Sequence, residues 1–124
     1  MLCRGIRGAI TVDSNTTHGI LAAGRELLEE MVAANDVHTE DVAAALFTTT
    51  NDLNAEFPAR AAREMGWRDA PLICANEIAV PGSLERCLRI LLLINTEKRA
   101  DEIVHVYLKG ARVLRPDREY DPQG

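Results

Sequence analysis

Apolar residues follow two distinct patterns that predict β-strands. From Leu2 to Val12 apolar and small residues alternate with two arginines, which is typical of a strand with two different faces. From Leu88 to Ile94 six of the seven side chains are aliphatic, and such a run predicts a central strand that is covered on both faces. Val42 to Thr49 predicts a further strand, because its end is rich in threonine.

A helical period separates the first two strands. After the stretch Asp-Ser-Asn-Thr-Thr, which offers several N-caps, apolar residues recur at helical spacing from Ile20 to Val32. This predicts an amphipathic helix of about five turns that covers one face of the sheet and ends near Asn35. Pro58 to Gly66 predicts a short helix, since proline fits the first helical turn. Leu72 to Ala75 and Val104 to Leu108 complete the pattern as short strands.

Arg89 interrupts the longest apolar run and is the first candidate for chemistry. A buried guanidinium costs about several kcal/mol unless a carboxylate or an anionic ligand meets it. Cys74 and Glu77 flank a short extended segment that ends at the Pro81-Gly82 turn, so the chain can bring a thiol, a carboxylate and a cation together. A buried ion pair between Glu77 and Arg89, without any ligand, explains the same residues.

Arg7 is the second candidate cation. Glycine is poor in a strand interior unless a close approach requires it, so Gly5 and Gly8 suggest room for a ligand beside Arg7. The alternative is a twisted strand whose arginine reaches solvent. On the last strand, alternation allows Tyr107 to share the polar side with Arg7 and Arg89.

The composition favours a small anionic ligand. The net charge is -5, which argues against nucleic acid or an anionic membrane as a partner. Only Lys98 and Lys109 are lysines, and arginine is the side chain suited to bidentate carboxylate recognition, although a genome rich in G and C gives the same bias. Arg60 and Arg63 are three residues apart on the predicted short helix and could clamp one anion, with a solvated arginine face as the alternative.

The length and the cysteine count set the broad class. A chain of 124 residues suits one domain, residues 1–124, with a flexible tail from about residue 117. Three cysteines without a Cys-x-x-Cys pair argue against a disulfide framework and a zinc site, and we expect a cytoplasmic protein without a metal. No signal peptide is recognisable, and no apolar run approaches the roughly 18 residues of a membrane span.

Five motifs, in order over nearly the whole chain, point to a known family. They are Arg4-Gly-Ile-Arg7-Gly-Ala-Ile-Thr11-Val, Phe57-Pro-Ala-Arg60-Ala-Ala-Arg63-Glu, Cys74-x-x-Glu77, Pro81-Gly-Ser-Leu with Cys87-Leu-Arg89, and His105-Val-Tyr107-Leu with Val113-Leu114-Arg115-Pro116-Asp117. Together they resemble the monofunctional chorismate mutases of the trimeric pseudo-α/β-barrel type.

The resemblance implies an α/β (α+β) fold, with a mixed β-sheet covered by one long and two short helices. It implies that three subunits form a pseudo-α/β barrel, a homotrimer with a site at each interface. The substrate implied is chorismate, which rearranges to prephenate on the way to phenylalanine and tyrosine without a cofactor.

The resemblance also implies a role for each site residue. Arg89 would donate to the ether oxygen of the breaking bond, and Glu77 with the Cys74 region would hold the ring hydroxyl. Arg7 and Tyr107 would engage the enolpyruvyl carboxylate. The residues that would approach from the neighbouring subunit are Phe57, Ala59, Arg60 and Arg63, and those that would close over the substrate are Leu114 and Arg115.

The residue types agree with this chemistry, since a Claisen rearrangement needs no nucleophile, proton transfer or metal. Two other functions fit the arginine-lined site. One is an imine or enamine deaminase of the small trimeric type, which also sets an interfacial arginine against a carboxylate. The other is a binding module that senses an anionic metabolite without turnover.

Overall fold

A single mixed sheet forms the centre of the computed structural model, which describes residues 1–114. Its strands are β1 (Leu2–Thr11), β2 (Val42–Thr49), β3 (Leu72–Asn76), β4 (Cys87–Thr96) and β5 (Val106–Leu108). Their order in the sheet is β3-β2-β4-β1-β5. β4 is antiparallel to both neighbours, whereas β2 with β3 and β1 with β5 are parallel pairs. The predicted mixed sheet with β4 at its centre is therefore confirmed.

One long helix and two short helical segments join these strands. The helix α1 (Thr17–Asn35) begins at Thr16, whose hydroxyl accepts a hydrogen bond from the N–H of Gly19 at 2.9 Å. It ends at Asp36, which is left-handed with φ 50°. The short helix α2 (Arg60–Glu64) follows β2, and a 3-10 helix covers Lys109–Leu114. Single 3-10 turns lie at Thr39–Asp41 and Ala100–Glu102.

α1 covers one face of the sheet and forms the main core with it. Side chains that are fully buried there include Ile6, Ile10, Ile20, Leu27, Leu28, Met31, Phe47, Leu88 and Leu92. Gly8 lies on this face, and a Cβ at that position would be 2.3 Å from Sδ of Met31. Alternation places Gly8 on the face opposite Arg7, so the missing side chain allows α1 to pack closely on the sheet. The expectation that Gly8 makes room for a ligand beside Arg7 is therefore wrong.

The opposite face of the sheet is largely uncovered by residues 1–114. On β4 the side chains from Leu88 to Ile94 that point toward α1 are buried, whereas Leu93 on the other face is 36% exposed. On β3, Ile73 is 64% exposed. The expectation that β4 is covered on both faces is therefore wrong for the described part of a single chain, because α1 and the α2 region that packs on it form a layer on one side of the sheet.

The start of β4 is fixed by a group of hydrogen bonds around Asp52. The Asp52 carboxylate accepts from the Thr50 hydroxyl and, at 2.9 Å, from the N–H of Arg86. Arg86 is left-handed with φ 46°, and the N–H of Cys87 donates to the Thr50 hydroxyl at 3.0 Å. Burial acts to raise the pKa of Asp52, but the hydrogen bonds from Thr50 and Arg86 outweigh it and lower that pKa. These bonds set the position from which β4 runs to Arg89.

Candidate active site

A single row of side chains crosses the uncovered face of the sheet. In register, Ala75, Thr48, Arg89, Ala9 and Tyr107 lie opposite one another on the five strands. Neighbouring strands are about 4.8 Å apart, so Arg89 stands at the middle of the row and the small Ala9 separates it from Tyr107. A cavity of about 250 Å³ lies over this row. We call it the Arg89 cavity, and it is lined by Thr48, Arg89, Ala9, Tyr107, Arg7 and Glu77 together with Leu46 and Leu91.

Three buried polar atoms of the row have no hydrogen-bond partner within residues 1–114. They are Oγ1 of Thr48, Nε of Arg89 and the hydroxyl oxygen of Tyr107. Each such group costs about 1–3 kcal/mol when it is buried unpaired, and folded proteins leave few of them. Because Thr48, Arg89 and Tyr107 all line one cavity, the cavity is suited to a ligand that carries several polar atoms.

Glu77 reaches the Arg89 cavity from the end of β3. Its N–H donates to the carbonyl of Thr49 at 2.9 Å, which holds the chain beside β2 for one residue more. Its Oε1 lies 3.5 Å from Nε of Arg89, and the two side chains keep 27% and 33% of their exposure. This distance allows an ion pair but is too long for a strong hydrogen bond. The predicted convergence of Glu77 and Arg89 is confirmed, and the guanidinium keeps donors for a ligand.

Arg7 and Tyr107 lie at the other end of the cavity. The N–H of Arg7 donates to Nδ1 of His105 at 3.0 Å, so this histidine pairs with β1 through its ring, and β5 begins at Val106 instead of residue 104. Tyr107 is 1% exposed and belongs to a small apolar cluster against which Leu114 packs. The expectation that Leu114 closes over the substrate stays a prediction. Arg115 lies outside the described residues.

Cys87 belongs to the same small cluster and is fully buried two residues before Arg89. Burial raises the pKa of its thiol, and the nearby Arg89 guanidinium offsets only part of that rise. The thiol is therefore a neutral neighbour of the cation near neutral pH.

Cys74 does not lie in the Arg89 cavity of its own chain. It is paired in register with Phe47, which is fully buried in the main core, and it packs against that core. Since successive side chains of a strand point to opposite faces, Cys74 lies on the side away from Arg89. The expected convergence of the thiol with Glu77 and Arg89 in one chain is therefore wrong. The structure brings in Thr48 instead, which sequence reasoning missed although alternation along β2 and its register with β4 would have indicated it.

Cys74 lines a second cavity, of about 360 Å³, together with Phe57 and Glu56. Phe57 is 69% exposed there. Arg60 adjoins this cavity, because its Nη1 donates to Glu56 at 2.6 Å while its Nε lies 3.2 Å from Glu64. The N–H of Phe57, followed by Arg60, lowers the pKa of Glu56, and Glu56 in turn raises the pKa of Arg60.

The remaining residues expected from a neighbouring subunit occupy other positions. Ala59 is 1% exposed and contributes to the main core, and Arg63 lines a surface pocket with Trp67. None of the four residues Phe57, Ala59, Arg60 and Arg63 lines the Arg89 cavity of the same chain.

A metal centre and a membrane-spanning helix are both absent from the described part of the chain. No three His, Cys, Asp or Glu side chains of residues 1–114 are grouped so that they could hold a metal ion. Within those residues, no helix combines the length and the apolar character needed to cross a membrane.

Comparison with known proteins gives consistent matches over almost the full length. Residues 3–118 match the family described as "Chorismate mutase type I". The chorismate mutase AroH of Thermus thermophilus is 50% identical over 119 residues, which are 95% of this chain and 98% of that protein. That of Bacillus subtilis (strain 168) is 44% identical over 118 residues, 94% and 93% of the two chains. A solved chorismate mutase structure from Clostridium thermocellum has a TM-score of 0.87 at 50% identity and covers 88% of this chain and 97% of its own.

Proposed function

Because the chain belongs to the type I chorismate mutase family, we propose that the Arg89 cavity is the site at which it converts chorismate to prephenate. The chain is a chorismate mutase, an isomerase of aromatic amino-acid biosynthesis. The observation that carries the assignment of the site is the row of three buried polar atoms without a hydrogen-bond partner within residues 1–114, with Glu77 beside it.

Arg89 stabilises the charge that develops during the rearrangement. As the carbon–oxygen bond of the enolpyruvyl ether breaks, negative charge grows on the ether oxygen. A guanidinium that is always protonated and already in place stabilises this charge without reorganising at the moment of reaction. The loose contact with Glu77, 3.5 Å from Nε, leaves the donors of Arg89 available to that oxygen.

The two ends of the cavity select the reactive conformer of the substrate. Chorismate must fold its enolpyruvyl group over the ring before the new bond can form. Arg7 and Tyr107 hold the enolpyruvyl carboxylate at one end, while Glu77 accepts a hydrogen bond from the ring hydroxyl at the other. Arg7 supplies the charge, and the buried Tyr107 hydroxyl, which has no hydrogen-bond partner within the described residues, gains one in the complex.

Each complete site includes a neighbouring subunit of a homotrimer. The second cavity of one chain, with Cys74, Phe57 and Arg60, supplies the groups that the Arg89 cavity of its neighbour lacks. Arg63 adds a further cation, and Ala59, which is buried in its own chain, fixes the start of the helix α2 that carries Arg60 and Arg63. The uncovered face of the sheet, where Leu93 and Ile73 are 36% and 64% exposed, supports association of the subunits. An exposed apolar surface of this kind is typical of an interface. The three free cysteines agree with a cytoplasmic location.

The decisive experiment measures turnover of chorismate by wild type and by Arg89→Ala. Loss of ultraviolet absorbance follows the substrate, and acid conversion to phenylpyruvate identifies prephenate. Removing one preorganised donor costs about 2.7–4 kcal/mol, so we expect kcat to fall roughly 100- to 1000-fold. Arg25→Ala is the matched control, because Arg25 is an exposed arginine on α1 that pairs with Glu29. Its activity should equal that of wild type.

A loss of less than tenfold in Arg89→Ala would remove Arg89 from this role. The deaminase and the binding module receive no support from the comparisons, and the same samples distinguish them. Ammonia release from a 2-iminoacid would favour the deaminase, and thermal stabilisation by chorismate without turnover would favour the binding module.

A further inference from the structure

We propose that Thr48 is a further substrate-contacting residue, whose hydroxyl donates a hydrogen bond to the ring hydroxyl of the substrate beside Glu77. The inference rests on the proposed function of the Arg89 cavity. It starts from two observations: Thr48 lines this cavity, and its Oγ1 is buried and has no hydrogen-bond partner within residues 1–114.

The position of Thr48 is fixed by the sheet. It lies inside β2 with β3 on one side and β4 on the other, directly opposite Ala75 and Arg89. A β-branched side chain has few rotamers, so the hydroxyl is held where it is before a ligand arrives. The N–H of Glu77 bonds to the carbonyl of the next residue, Thr49, at 2.9 Å, which places Glu77 and Thr48 at the same end of the row.

The chemistry of the two side chains is complementary toward an alcohol. An ionised carboxylate only accepts hydrogen bonds, so Glu77 accepts one from the O–H of the ring hydroxyl. The oxygen of that hydroxyl keeps its lone pairs, and a threonine O–H can donate to one of them. Thr48 and Glu77 would then bind the acceptor oxygen and the donor hydrogen of the same hydroxyl group.

The first test is Thr48→Val, which keeps the shape of the side chain and removes the hydroxyl. The ring hydroxyl does not react, so the lost hydrogen bond weakens the ground state and the transition state alike. We expect KM for chorismate to rise about threefold to tenfold, the size of one neutral hydrogen bond, while kcat changes by less than about twofold. Thr48→Ser should restore KM.

Thermal unfolding of the free protein provides an independent readout. Removing an unpartnered buried hydroxyl relieves a cost, so Thr48→Val should melt at the wild-type temperature or above it. Thr49→Val is the matched control, because Oγ1 of Thr49 is also buried but donates to the carbonyl of Leu53 at 3.3 Å. That variant should melt at a lower temperature than wild type.

Each other outcome has a definite meaning. An unchanged KM in Thr48→Val would overturn the proposal, and so would a lower melting temperature or a failure to fold, since each would show that the hydroxyl serves the free protein. If wild type fails to turn over chorismate, the proposed function itself is wrong. Turnover by wild type with an indifferent Thr48→Val rejects only the role of Thr48.

Discussion

Two impaired variants should recover activity when they are assembled in the same trimer. Arg89→Ala removes the central cation of the Arg89 cavity. Arg60→Ala removes the cation beside the second cavity, which Cys74 lines. If each complete site combines the first cavity of one subunit with the second cavity of its neighbour, the two substitutions damage different partners in one contact. A mixed trimer then contains one undamaged site.

The size of the effect follows from the closed ring of three subunits. We expect Arg89→Ala alone to lose roughly 100- to 1000-fold in kcat, and Arg60→Ala alone to lose about tenfold or more in kcat/KM. When equal amounts combine at random, three quarters of the trimers hold both variants, and each of these has one intact site among three. The mixture should therefore reach about a quarter of the wild-type activity.

The assay denatures the two purified variants together, refolds the mixture and measures turnover of chorismate. Different affinity tags on the two variants allow the mixed trimers to be isolated, and light scattering verifies that their mass is that of three chains. Each variant refolded alone is the baseline, and a refolded mixture of Arg89→Ala with Arg25→Ala is the control for the procedure. Isolated mixed trimers with no more activity than the two baselines would refute shared sites and place all the machinery in one chain.

Two further predictions concern stability. Gly8→Ala should lower the free energy of unfolding by about 1–3 kcal/mol in urea titrations, because the new Cβ would meet the buried Met31 at 2.3 Å. Gly5→Ala is the control and should be near neutral, since its Cβ would be 3.5 Å from Leu91. Equal losses in the two variants would contradict this contact between Gly8 and the helix. Since the folded-state pKa of Asp52 is lowered, its carboxylate stabilises the fold above its unfolded-state pKa of about 3.8 and loses this effect as the pH falls through the lower folded value. Asp52→Asn should therefore be less stable than wild type at neutral pH and approach it in acid, and a difference that persists unchanged below that range would contradict the assignment.

Local patterns predicted the elements of the fold well, because each strand and helix has its own period. The run from Leu88 to Ile94 correctly marked the central strand, and the threonines before Ile20 marked the start of α1. What the runs do not contain is the number of layers that cover them. An aliphatic face has the same sequence pattern whether a helix of the same chain or another subunit lies on it. The exposed face of β4 was therefore mistaken for one covered within the chain.

The sequence predicted the site residues that stand out from their surroundings, but not those whose position depends on how the strands pair. Arg89 stands out inside an apolar run, and Glu77 is a carboxylate close enough in sequence to reach it. Cys74 was wrongly placed in the Arg89 cavity and Thr48 was missed, because the face on which each lies depends on the register of β2 with β3 and β4. A shift of that register by one residue would reverse both faces. An ordinary threonine in a strand carries no signal of its own until its neighbours across the sheet are known.

The strand order also constrains how the chain can acquire its structure during synthesis. β1 and β2 do not pair with each other, since β4 lies between them in the sheet. A nascent chain that has released only β1, α1 and β2 from the ribosome therefore has an amphipathic helix and two strands with no common ladder to join. Folding of the sheet must wait for residues 87–96, and such long-range closure is typical of slower folding. The strand that joins the two halves of the sheet is the one that carries Arg89, so a chain in which β4 has not yet paired has no assembled site.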